Sequence, residues 1–106
     1  MAEARIDFGM AGGVDTRRLE RSLGLAGERV AEGRYRVSGG REAHWVDLYT
    51  WYHPRCDCAD HLWREAICKH ILAALLREGN EEVIRALAGL VHALKDVPAT
   101  DRPAAA

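Results

Sequence analysis

Three cysteines and a terminal histidine bound a stretch of fifteen residues, in the order Cys56-Asp57-Cys58, a nine-residue spacer, then Cys68-Lys69-His70. Thiolate and imidazole are donors that zinc prefers, and three of the first with one of the second complete a tetrahedral shell. Such a set is structural. With no vacant position the ion cannot take up and activate a water, so catalysis at the metal is not expected. Disulfides fit less well, because three cysteines cannot all pair and Cys-x-Cys is too tight for an easy bridge. The Cys-x-x-Cys spacing of a redox pair is also absent.

The spacing dictates the elements that must hold the ligands. Alternate residues on an extended strand face one way, so Cys56 and Cys58 can meet one ion if the chain arrives as a strand. Residues two apart on a helix diverge by about 200°. Cys68 is therefore expected just before a helix, with His70 in its first turn looking back at the metal. His61, inside the spacer, is the rival fourth ligand. His44, His53 and His92 read as surface or locally bonded histidines, and Trp63 is expected to roof the site against water.

The ligand order resembles the SWIM zinc finger, whose signature is Cys-x-Cys, a variable spacer, then Cys-x-His. The likeness runs from Tyr35-Arg36-Val37 through the aromatic segment before Cys56 to the apolar run Ile71-Leu72-Ala73-Ala74-Leu75-Leu76. It covers roughly residues 35–77, and Cys68-Lys69-His70-Ile71 is its most specific piece. Ala59 and Asp60 follow the first pair, where family members show Pro or a small polar residue. The resemblance implies a compact ββα finger with bound zinc and a role in binding nucleic acid or protein. SWIM fingers occur attached to chromatin-remodelling ATPases, mutator-type transposases and recombination accessory proteins, so the resemblance also implies service to a larger DNA-processing system.

The remaining elements follow from local patterns and give an α+β class. Residues 1–14 read as a flexible arm. Its Gly9-Met10-Ala11-Gly12-Gly13 run lacks the Lys-Ser/Thr of a phosphate loop. Asp15-Thr16 offers an N-cap to a short helix with Leu19 and Leu23 on one face and Arg17, Arg18 and Arg21 on the other, ending at Gly24. Val30 to Trp51 reads as a β-hairpin, with Tyr35-Arg36-Val37 in the first arm, Ser38-Gly39-Gly40 at the turn, and His44 to Trp51 in the second arm. Val46, Leu48 and Thr50 share the core face. Trp45, Asp47, Tyr49 and Trp51 share the other. Pro54 has no amide donor and should end the ladder before the knuckle.

Downstream, Ile71, Leu72, Leu75 and Leu76 form an apolar stripe on a helix over 69–78. Gly79 ends it, and Asn80 caps a last helix that carries Val83, Ile84, Leu87, Leu90, Val91 and Leu94 to about Lys95. These two helices are expected to form a helical hairpin on the finger. Residues 97–106, with Pro98 and Pro103, read as a tail, leaving one domain over 15–96. The last helix is more apolar than a minimal finger requires. Either it covers the hairpin and first helix, or it is a homo-oligomer or partner face.

Length and charge bound the function. The 106 residues are the size of one small domain, for which a metal staple is a useful supplement to a limited core. The first 14 residues show no secretory pattern and no stretch approaches the ~20 apolar residues of a membrane helix, so a cytoplasmic protein is expected. The net charge is −1, but residues 29–77 hold eight Arg or Lys against six Asp or Glu. Paired carboxylates, a Ser-His-Asp order and a phosphate loop are lacking, and no enzyme is expected. The leading expectation is a zinc module that binds nucleic acid, DNA foremost, with Arg36, Arg41, Arg55, Arg64 and Lys69 on phosphates and Trp51 stacking on a base. Lys69 equally suits offsetting thiolate charge, and packing on a neighbouring element is the favoured role for Trp45 and Trp51 over base contact. The alternative is a protein-interaction adaptor.

Overall fold

The computed structural model describes residues 14–49 and 53–95. The expected arm, apart from Val14, and the expected tail lie outside the described residues, as do Thr50 and Trp51. Among the described residues, four helices and four strands run in the order α1 (Thr16–Ser22), β1 (Ala26–Ala31), β2 (Arg34–Ser38), β3 (His44–Asp47), β4 (Arg55–Cys56), α2 (Ala59–Arg64), α3 (Lys69–Arg77) and α4 (Glu81–Lys95). The strands form an antiparallel meander in chain order. The fold is α+β, with its cysteine and histidine cluster where one end of the sheet meets the start of α3.

Alternation along the strands decides which face of the sheet is covered. Tyr35 and Val37 of β2, Val46 of β3 and Leu48 just beyond it are buried, while Arg34, Arg36 and Trp45 point away. The expected division of the second arm therefore holds for Trp45, Val46 and Leu48. Helix α3 lies across the covered face and buries Ile71, Leu72, Ala73, Ala74 and Leu75, with α1 contributing Leu19 and α4 contributing Val83. Val14 also packs against this core. The approach is close at Gly27 of β1, where an added Cβ would stand 3.9 Å from the Ala74 Cα.

Caps set the helix boundaries. The Asp15 carboxylate accepts from the Arg18 amide at 3.0 Å and starts α1. Gly79, at φ +76°, ends the α3 segment in a left-handed turn that returns the Asn80 amide to the Leu75 carbonyl, and Asn80 Oδ1 then accepts from the Val83 amide. Leu23 departs from expectation. It follows the end of α1 and is 53% exposed, so Leu19 is the large apolar side chain that α1 buries.

The sheet is larger than the expected hairpin. Strand β1 pairs with β2 through a tight Glu32-Gly33 connection, with an irregularity between Arg29 and Ala31. Strand β3 ends at Asp47, four residues short of the expected end, with the Leu48 amide donating to the Gly33 carbonyl one step further in the same register. Two residues of β4 then close the edge against Val46 and Asp47.

Gly39, in the β2–β3 turn, has φ +124°, and a Cβ there would stand 2.6 Å from the Gly24 carbonyl oxygen. Both the backbone conformation and the contact require glycine. Gly39→Ala is expected to cost about 1–3 kcal/mol, read as a lowered melting temperature with unchanged metal content.

Candidate metal centre

The chain reaches the first ligand pair through β4. Cys56 faces the core from this strand, opposite Val46. Asp57 fixes the following step by pairing twice with Trp45: its amide donates to the Trp45 carbonyl at 3.3 Å, and its Oδ1 accepts from the Trp45 amide at 3.1 Å. Cys58 then occupies the N-cap of α2, where its sulfur accepts from the His61 amide at 3.5 Å. Glu65, at φ 54°, ends α2 in the left-handed region. The short connection that follows delivers Cys68 to the N-cap of α3 and His70 to its first turn. The start of α2 thus turns a backbone N–H toward the Cys58 sulfur, whereas the Cys68 side chain caps no amide of α3.

These elements bring donor atoms of Cys56, Cys58, Cys68 and His70 within 4.8 Å of one another, and all four residues are buried. The donor chemistry fits a metal ion. His70 Nδ1 is buried with no hydrogen-bond partner, an omission worth about 1–3 kcal/mol when no ligand makes it good. Electrostatics agree. Hydrogen bonding from Cys56 draws Cys68 below its ordinary range. The same contact with Cys68, together with burial, pushes Cys56 well above its ordinary range, and burial raises Cys58. One thiolate is thus easily formed and the next two resist crowding beside it. A central cation removes that resistance.

His61 is turned elsewhere. Its Nδ1 lies 2.8 Å from the Ala66 carbonyl oxygen, holding the α2–α3 connection, and it is not among the four clustered donors. Trp63 does not roof the site, since it is 86% exposed. Helix α2 is only six residues long and buries none of them, so its outer side carries Leu62 and Trp63 to the surface. The four clustered residues are nonetheless buried, and Cys58, Cys68 and His70 form part of the wall of a cleft beside them.

Two supporting contacts were not read from the sequence. His44 stacks near His70, with ring centroids 4.4 Å apart, and its Nδ1 lies 2.9 Å from Asp57 Oδ1. Arg18 of α1 reaches Asp60 of α2 in a side-on pair, Nε to Oδ2 at 2.7 Å and Nη2 to Oδ1 at 2.9 Å, and also holds Asp15 at 3.0 Å. The Arg18 guanidinium keeps the Asp60 carboxyl below the usual range. Forty-two residues separate the partners, and neither periodicity nor spacing joins them. Arg18→Ala is expected to loosen α1 from the knuckle and to cost about 1 kcal/mol, a bidentate but partly solvated pair. A double-mutant cycle with Asp60→Asn measures the coupling.

The residues expected to meet nucleic acid fall in two places. Arg36 lies opposite Trp45, and Arg55 opposite Asp47, so both point from the open face of the sheet, where Trp45 is 54% exposed. Arg41 is exposed in the β2–β3 turn. Arg64 and Lys69 instead line a cleft between α1, α2 and the start of α3. Among the described residues, no helix is long and apolar enough to cross a membrane. Compared with known proteins, the chain matches no family profile, no curated protein and no solved structure.

Proposed function

We propose that the chain is a non-catalytic module of the SWIM type, stabilised by one zinc ion, that binds nucleic acid. The observation that carries the metal reading is the closed set of three buried cysteines and one buried histidine. Zinc suits it by ligand type and number, and a filled shell suits a structural ion. The ion ties the sheet edge to the starts of α2 and α3, which fixes the cationic and aromatic surfaces around them.

Nucleic-acid binding is supported by the composition of those surfaces. Arg36, Arg41, Arg55 and Trp45 lie exposed on or beside the open sheet, and further arginines lie on the helical side. Cations beside exposed aromatic rings are the combination that holds a phosphate backbone and an unstacked base. Fluorescence anisotropy with single-stranded DNA, duplex DNA and RNA at two salt concentrations tests the reading. Zinc-loaded protein is expected to bind one class, more weakly at the higher salt, and chelated protein to lose the binding. A folded, fully metallated sample that binds none at low salt defeats it.

A second reading, a protein adaptor or dimerisation module, draws on α4, where Ile84 and Val91 are 45% and 44% exposed while, among the described residues, Val83 is the one side chain that the helix buries fully. Self-association insensitive to salt and abolished by Ile84→Asp favours that reading.

A further inference from the structure

The helical side of the molecule has a cleft of about 780 Å³ that opens beside the cluster, with Cys58, Cys68 and His70 contributing to its wall. Its rim is cationic. Arg17 and Arg21 come from α1, Arg64 from α2 and Lys69 from the start of α3, four side chains from three elements converging on one opening. Arg18 also lines the cleft, but Asp15 and Asp60 neutralise it. Both oxygens of Asp60 are held by Arg18, so Arg64 stands off at 3.6 Å and stays 74% exposed. Arg17, Arg21 and Lys69 form no ion pair among the described residues. Five cationic side chains face two carboxylates, and the opening stays positive even with about one net negative charge from a zinc-bound thiolate set.

Trp63 completes the surface. It lines the same cleft, yet it is 86% exposed. An indole held out to water beside unpaired cations gains nothing from the fold, and it presents a face on which a planar ring can stack. A duplex keeps its bases stacked on one another and offers none to such a platform. We infer that this cleft is a single-strand nucleic-acid site, in which Arg17, Arg21, Arg64 and Lys69 hold the phosphodiester backbone and Trp63 stacks on an unpaired base. The inference rests on the nucleic-acid reading above and moves the principal contact surface from the open sheet to the helical side.

The test uses the full zinc-loaded chain and fluorescein-labelled oligothymidylate, the matching oligouridylate and a mixed-sequence duplex. Arg17→Ala/Arg21→Ala and Trp63→Ala are compared with Arg36→Ala/Arg55→Ala on the sheet. Unchanged melting curves and zinc content confirm that each variant is folded. Trp63→Ala is expected to weaken single-strand binding by about tenfold and Trp63→Phe to restore most of it. The α1 double variant is expected to weaken binding and to reduce the log–log salt slope by roughly 1.4. The sheet variant should change binding by less than either, and the duplex should bind more weakly than a single strand. The ribose and deoxyribose strands separate an RNA site from a DNA site.

Loss of binding in the sheet variant, with the cleft variants unchanged, overturns the cleft and leaves the nucleic-acid reading standing. Equal losses in both sets, or duplex binding as tight as single-strand binding with no effect of Trp63→Ala, overturn it in the same way. Failure of the folded wild type to bind any of the three probes at low salt defeats both, and salt-insensitive self-association in that sample points to the protein-adaptor reading.

Discussion

Replacing Cys68 with serine is expected to abolish the cooperative thermal transition, and chelation of the wild-type protein is expected to do the same, reversibly on return of zinc. The size of the effect follows from what the metal joins. Cys56 belongs to β4, Cys58 caps α2, and Cys68 and His70 begin α3, so one ion held by the four would tie three elements together at that end of the molecule. Cys68 is fully buried, and its neighbours in the cluster favour its thiolate form. Structural zinc contributes about 10–16 kcal/mol in small fingers near pH 7, against a total stability of about 5–15 kcal/mol for most domains. Loss of the ion therefore removes as much free energy as the fold has. A Cys68→Ser protein that melts like wild type and retains stoichiometric zinc contradicts this.

His70→Ala and His61→Ala are expected to separate sharply. His70 contributes a buried nitrogen to the donor cluster, and its removal leaves three thiolates to share an incomplete shell. Zinc affinity should fall by more than the roughly 10- to 100-fold that follows loss of a group merely hydrogen-bonded to a ligand. His61 serves the protein through its contact with the Ala66 carbonyl, and its removal should cost about 0.5–1.5 kcal/mol while zinc stays bound. Competition with a chromogenic chelator reads the difference directly. The reverse ranking would mean that the spacer histidine is the ligand.

The donor set was legible because its information is local. Cys-x-Cys before a spacer and Cys-x-His before an apolar helix restrict backbone conformation within a few residues, and Cys68 and His70 stand where that restriction places them. The capping residues Asp15, Gly79 and Asn80 were legible for the same reason. Strand β1 was less so. It is an edge strand, with Glu28, Arg29 and Val30 exposed, and it carries no apolar alternation to announce itself. Its pairing is imposed by the Glu32-Gly33 turn and by β2. Helix α2 was hidden because none of its residues is buried, so its periodicity records no core face. Trp63 misled for a related reason: an aromatic residue near a metal site suggests a cover, but the helix that carries it turns it outward. The Arg18–Asp60 and His44–Asp57 contacts depend on the tertiary arrangement, which brings distant segments together, and no local pattern encodes them.

The central claim is that Cys56, Cys58, Cys68 and His70 hold one tetrahedral zinc. X-ray absorption at the zinc edge, on protein loaded with one equivalent, tests it most directly. The account requires a shell of three sulfur neighbours at about 2.3 Å and one nitrogen at about 2.0 Å, the nitrogen replaced in His70→Ala and retained in His61→Ala. A shell dominated by oxygen, or one with fewer than three sulfurs in the fully reduced protein, would contradict it.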